Sequence, residues 1–266
     1  MKNSPIVKPL WKHYTRDSAL KALAIDGTLA EAYASLALVK ESEWDFPAAE
    51  NNFKRAIELN PNYPTARQWY SELLEKVGRL DESLVEMKRA VGLDPLSPII
   101  SVSLASILLD RGEVDRAIEQ CRKTIELAPD FGYARNMLGQ CLYQKGMFEE
   151  AVAELEKANQ LYGSSPYALG DLGNAYALSG EKAKALEVLS TLKDFLRRDY
   201  TVNFEIALVY LGLGDKEKTF EWLGKACDDQ NEKRDVKFSN FNVDPRWNSL
   251  RSDPRFKRLM KKLHLE

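Results

Sequence analysis

Apolar residues recur at spacings of three and four along most of the chain, which is the period of helices and not of strands. A longer period lies over this one. Gly78, Gly112, Gly146, Gly180 and Gly214 each stand 34 residues after the one before. With that glycine set at position 15, six units follow in register: 30–63, 64–97, 98–131, 132–165, 166–199 and 200–233. Position 7 is large, as Leu36, Tyr70, Leu104, Leu138, Leu172 and Ile206. Position 8 is small, as Ala37, Ser71, Ala105, Gly139, Gly173 and Ala207, and so is position 20, as Ala49, Ser83, Ala117, Ala151, Ala185 and Thr219. The spacing predicts two helices per unit, over positions 2–14 and 18–30, that touch through their small residues. Glycine at position 15 suits the left-handed residue that ends the first helix. Pro61, Pro95 and Pro129 at position 32 stop the second. Two units depart from the ruler. Trp44 stands where the first needs its turn glycine, and the fifth has Arg197 instead of the closing proline and Leu192 where others carry a small residue. Helix ends in the fifth unit are therefore expected to shift.

The flanks read as caps, which an array needs because its end units would otherwise expose an apolar face. Residues 1–29 form an N-terminal segment in which 16–26 resemble a second helix without its first, with Ala22 in the position-27 role and Trp11 and Tyr14 as packing residues. Residues 234–266 form C-terminal capping helices. Asp244-Pro245-Arg246-Trp247 is echoed by Asp253-Pro254-Arg255-Phe256, and each Asp-Pro is a helix start, with Asp as N-cap and Pro in the first turn. In the last helix Phe256, Leu259, Met260 and Leu263 share one face while Lys257, Arg258, Lys261 and Lys262 share another, as expected of an amphipathic lid on the final unit.

The unit GYARNMLGQCLYQKGMFEEAVAELEKANQLYGSS at 132–165 resembles the tetratricopeptide repeat, and the matched ruler covers most of the chain. The resemblance implies an all-α fold: a right-handed superhelix, or α-solenoid, of antiparallel helix pairs with a helical cap. It also implies a concave groove lined by the first helix of each repeat through positions near 2, 5, 9 and 12. Here these include Gln68, Glu72, Val102, Ser106, Tyr133, Asn136, Gln140, Tyr143, Tyr167, Asn174 and Phe204. Amides and tyrosines there suit an extended peptide backbone, and apolar neighbours suit its side chains. Glu72 and Glu75 would repel a C-terminal carboxylate, so the basic clamp of chaperone-binding members is not expected. The tail VDPRWNSLRSDPRFKRLM is similar to the end of the repeat regions in bacterial regulators, which follow winged-helix, Ser/Thr kinase or cyclase domains. This implies a sensory or docking module that binds a protein or peptide. It does not carry over any effector activity. The alternative is a detached region, cut from a DNA-binding or kinase protein, whose task is intramolecular control.

Charge and rare residues narrow the picture further. Lys+Arg is 38 and Asp+Glu is 40, a net of -2, which argues against binding nucleic acid through bulk charge. The tail 246–266 is locally basic, and a solvated cap helix is the expectation for it. No apolar run approaches the roughly 20 residues of a membrane span, and a cytoplasmic location is expected. Cys121, Cys141 and Cys227 read as buried small hydrophobes. His13 and His264 are the sole histidines, so a His-based hydrolytic or metal site is not expected, nor a cofactor, nor catalysis. Asp130-Phe131-Gly132 spells a kinase metal-binding tripeptide, and Gly212-Leu213-Gly214-Asp215-Lys216 hints at a phosphate loop. Neither has the surrounding strands or loops that such chemistry requires, and both fall on repeat turns.

Overall fold

The computed structural model describes residues 10–163, 165–198, 200–233, 238 and 240–265. Its described residues form helices and turns and no strand. An N-terminal helix, α1 (Leu10–Ile25), packs on the first of six consecutive antiparallel pairs. The pairs are α2 (Ala30–Ser42) with α3 (Phe46–Leu59), α4 (Pro64–Lys76) with α5 (Leu80–Leu93), and α6 (Pro98–Asp110) with α7 (Val114–Leu127). They continue with α8 (Gly132–Gln144) and α9 (Phe148–Leu161), α10 (Pro166–Leu178) and α11 (Lys182–Arg197), then α12 (Asn203–Gly212) and α13 (Lys216–Lys233). A 3₁₀ segment at Pro245–Leu250 and a last helix, α14 (Pro254–Lys262), complete the chain. The fold is an α-solenoid in which each pair also packs on the next.

The turn inside each pair follows from one backbone requirement. Gly78, Gly112, Gly146, Gly180 and Gly214 all have φ between 74° and 86°. The left-handed residue lets the chain close the first helix, as when Gly78 N donates to the carbonyl of Glu75 and Arg79 N to that of Leu74. Trp44 meets the same requirement without being glycine, at φ 64°. A bulky residue is strained there, and its ring is held by neighbours described below.

Close approach within a pair depends on positions 8 and 20. A Cβ on Gly139 would lie 2.4 Å from Leu155 Cγ, so only glycine admits α9 at this distance. The second pair solves the same problem with two buried serines: Ser71 Oγ donates to the Ser83 carbonyl at 2.7 Å and Ser83 Oγ to the Ser71 carbonyl at 2.8 Å. Each hydroxyl thus satisfies the other's backbone, and neither is a buried orphan. The ruler also repeats polar contacts. Arg67 bonds Glu86 at 2.6 Å, and two units later Arg135 bonds Glu154 at 2.9 Å. In the fifth unit α11 runs on to Arg197, where the first three units have proline, and α12 is shortened to ten residues.

The C-terminal segment does more than cover the last pair. Phe238, Phe241, Trp247, Leu250, Phe256 and Leu263 form one core with Phe204, Ala207 and Leu208 of α12 and Phe220 and Leu223 of α13. Five rings make its centre, with Phe241 stacked on Phe256 at 4.8 Å and 5.1 Å from Trp247. The caps form as expected: Asp244 accepts from Arg246 N and Asp253 from Arg255 N, both at 2.9 Å. The same segment then reaches the opposite end of the array. Trp44 and Phe46 pack against its core, and His264 lies 5.7 Å from the Trp44 ring. The basic face of α14 is partly neutralised by the solenoid, with Arg255 paired to Glu217 and Lys262 to Asp228. At the N-terminus, Tyr14 is 69% exposed and does not pack as expected, because no earlier helix lies over it among the described residues; the side chains of Trp11 and His13 lie outside those residues.

Replacing Gly139 by Ala should lower the unfolding free energy by about 1–3 kcal/mol, because overpacking against Leu155 outweighs the usual helix gain. Gly224→Ala, at a helical position with nothing within 4 Å, should instead stabilise by about 0.5–1 kcal/mol. Urea unfolding of the two variants beside wild type checks the opposite signs.

Candidate functional site

Helices α2, α4, α6, α8, α10 and α12 face inward and surround a cavity of about 820 Å³. Its wall is completed by Asn240 and Arg246 from the C-terminal segment. The size falls within the usual range of about 300–1,000 Å³ for ligand sites. Ile99 and Tyr162, both substantially exposed, lie on its solvent side.

The attachment of the segment is polar and buried. Arg246 Nη1 donates to Asp171 of α10 at 2.9 Å, and its Nε to Asp244 at 2.7 Å. Asp171 also accepts from Gln140 at 2.9 Å, Tyr143 at 3.2 Å and Asn136 at 3.4 Å, all on α8. Burial alone would weaken the guanidinium's charge, but the Asp244 and Asp171 carboxylates outweigh it and hold Arg246 above its ordinary range. Burial, with the Asp171 charge behind it, pushes the Tyr143 hydroxyl up, so it stays a donor. A second link joins Asn240 to Asp110, at the end of α6, at 3.0 Å. Asp110 shares a proton with Glu75 of α4: burial raises both, and it brings Asp110 up to about 7, with the charge of Asp244 adding to the effect.

Six of the residues expected to face the groove do line the cavity: Glu72, Ser106, Tyr133, Asn136, Gln140 and Phe204. Four do not. Val102 is fully buried as an apolar member of the main core. Asn174 is buried and donates to the Leu208 carbonyl at 2.8 Å, tying α10 to α12. Gln68 is buried and holds Glu72 at 2.9 Å, and Tyr143 is spent on Asp171. Tyr167 belongs to α10, and its side chain lies outside the described residues. Phe204 is shared, since it lines the cavity and also stacks edge-on with Phe238 and Trp247.

Sequence reasoning missed Asp171, Arg246, Asp110 and Asn240. One signal was available for the first pair. An aspartate among the small and apolar residues of ALGDLGNAYAL needs a buried partner, and Arg246 stands out from the lid's other cations by preceding a buried Trp. Among the described residues no group of three or more His, Cys, Asp or Glu is placed to hold a metal ion. The three cysteines are buried, and burial and mutual proximity hold the Cys121 thiol in its protonated form.

Six inward helices, one left-handed turn per pair and a 34-residue register agree with what the comparison of sequences finds. Tetratricopeptide repeat profiles match residues 36–98, 102–166 and 142–200, more than half of the chain. The chain belongs to the tetratricopeptide repeat family. Solved structures similar in fold include PilW, a widely conserved type IV pilus biogenesis factor, with TM-score 0.60 and 18% identity over 80% of this chain and 97% of that one. Pseudomonas aeruginosa pilF has TM-score 0.59 and 21% identity over 74% and 89%. YrrB, described as a tetratricopeptide repeat protein with an unusual peptide-binding site, has TM-score 0.50 and 18% identity over 77% and 97%. At these identities the likeness is one of fold. No curated protein matches the chain. The family fold is typically a non-catalytic scaffold for protein or peptide partners, and no described helix here is long and apolar enough to cross a membrane.

Two outcomes follow from the buried charges. Arg246→Met should cost about 3–5 kcal/mol by stranding Asp171, and adding Asp171→Asn should restore more than half of that in urea titrations. Because Asp110 has a folded-state pKa above its unfolded one, its contribution to stability is complete below about pH 4 and fades as pH rises through about 7. Asp110→Asn keeps an acceptor for Asn240 and a partner for Glu75 at every pH. Melting curves between pH 5 and 8 should therefore be flatter for this variant, with a higher midpoint at pH 8.

Proposed function

We propose that this protein is a non-catalytic interaction scaffold that binds an extended peptide on its concave side, as a sensory or docking module of bacterial signalling or transcriptional regulation. The observation that carries the reading is the central cavity, with the polar groups of Ser103, Ser106, Asn136 and Gln140 spread along two successive inner helices, α6 and α8. Hydroxyls and side-chain amides at one-repeat intervals suit the alternating donors and acceptors of an extended backbone. A partner helix fits less well than the sequence suggested. A helix about 10 Å across already needs roughly 850 Å³ for two turns, which is the whole of the cavity. The C-terminal segment accounts for this, because it occupies part of the concave side that an open superhelix would offer.

The second reading, a detached region for intramolecular control, draws on that same segment. A stretch of the chain's own sequence already sits where a partner is expected in this family, bonded through Arg246 and Asn240. The readings differ in what releases the segment: nothing need do so for peptide binding in the remaining cavity, whereas intramolecular control requires it to leave.

A random peptide library selected on the purified chain tests the first reading. Ser106→Trp, which puts an indole into the cavity beside Asn136 and Gln140, should abolish enrichment. Val85→Arg, at an exposed position on the convex helix α5, should leave it unchanged. Loss of enrichment in both, or in neither, would overturn concave binding.

A further inference from the structure

We infer that the cavity is specific for an organic cation, and that the peptide it takes presents a lysine or arginine side chain to Glu72. This rests on the proposed concave binding and names its chemistry. Among the described residues the lining carries the carboxylates of Glu41, Glu72, Glu75, Asp171 and Glu205, and only Lys76 and Arg246 as cations. Both cations are already engaged: Lys76 with Glu41, and Arg246 with Asp171 and Asp244. Glu72 has no cation within ion-pair distance among the described residues. It accepts only from the neutral Gln68 and Ser103, at 2.9 and 3.1 Å. Lys76, one turn along the same helix, is drawn away to Glu41. Burial therefore raises the Glu72 carboxyl, and its two neutral donors offset this only in part. A ligand cation would remove that cost, because a charge that is expensive alone is retained in a paired and hydrogen-bonded state.

Two further features select an organic cation over a metal ion. The cavity wall is partly aromatic, with Trp69, Tyr133 and Tyr162 among the residues that line it together with Glu72. The Tyr133 hydroxyl lies within electrostatic reach of both Glu72 and Glu75. Aromatic faces next to a carboxylate favour ammonium and guanidinium groups, which bring apolar stems and spread charge. The described residues offer no cluster suited to a metal. The wall also already holds one guanidinium in this manner. Arg246 is sunk beside Tyr143 with its fork on Asp171 and Asp244. Glu72 repeats the first half of that arrangement, a carboxylate held by an amide donor of its own helix and a hydroxyl donor of the neighbouring one, without the second half. Glu75 does not offer an equal site, since its carboxyl is closed off by Ser106 and the proton shared with Asp110.

The experiment is the same library selection on the full chain, read for composition, followed by binding of individual synthetic peptides to wild type and Glu72→Gln. The expected result is enrichment of peptides with Lys or Arg at one fixed position. Affinity should fall at least tenfold when that residue is replaced by norleucine or citrulline, and by a similar factor in Glu72→Gln. Glu72→Gln keeps the contacts to Gln68 and Ser103, and its melting curve checks that it folds. Enriched peptides without a basic residue that still depend on Ser106 would overturn the cation inference and leave concave peptide binding standing. A parallel titration with arginine methyl ester and with spermidine separates the source of the cation. Glu72-dependent binding of either, with no peptide enriched, would keep the cation site and overturn the peptide reading. Absence of any Glu72-dependent binding in both arms would overturn the cation site itself.

Discussion

The buried pair of Asp171 and Arg246 joins the two parts of this molecule, and the geometry of the concave side depends on it. An isolated carboxylate in the middle of α10 would be untenable there. So would a lone guanidinium beneath Trp247. Together, with three donors from α8 and the cap carboxylate of Asp244, they are satisfied, and the segment 240–251 is held across the inner helices. Such a pair adds little to net stability compared with an apolar substitute. Its effect is on arrangement: the aromatic core around Trp247 could slide along an apolar surface, but a guanidinium bonded to one aspartate fixes it in place.

That arrangement determines what the cavity can be. In an open solenoid of this length, the inner helices would offer a broad trough. Here one end is taken by Phe238, Phe241 and Trp247 against Phe204, and the remaining space is bounded by the inner helices α2 to α12 with Arg246 in its wall. The shared proton of Glu75 and Asp110 belongs to the same design, since Asn240 binds the Asp110 carboxylate that the pair makes available. Ligand space and tail attachment are therefore built from adjacent side chains, and a change in one reaches the other through one or two contacts.

The repeat ruler made the solenoid legible because local geometry forces it. A left-handed turn wants glycine, and helices in contact want small residues, so Gly78 to Gly214 and Ala49 to Ala185 report the fold without reference to anything distant. Trp44 is informative for the opposite reason. It breaks the local rule, and the explanation lies 220 residues away, at His264. The candidate site was only half legible for a similar reason. Positions 2 and 9 of the inner helices largely pointed to the cavity, as with Tyr133, Ser106 and Gln140, because helical periodicity decides them. Val102 and Asn174 fell elsewhere, since neighbouring helices and not their own period determine which flank of a helix is covered. Asp171 and Arg246 were out of reach as a pair, being 75 residues apart with no spacing rule between them.

A simple solenoid behaves as a line of neighbours: any unit can fray, and its loss is felt only next door. The contact between Trp44 and the tail changes that topology. With the first hairpin fastened to the last residues, the line becomes a loop, and neither terminus of the repeat array is free to melt alone. Long-range closure of this kind adds contacts of high sequence separation, which form late and slow the final step of folding. Once formed, they turn a chain of loosely coupled springs into a hoop, in which bending at any one repeat must be shared by all the others.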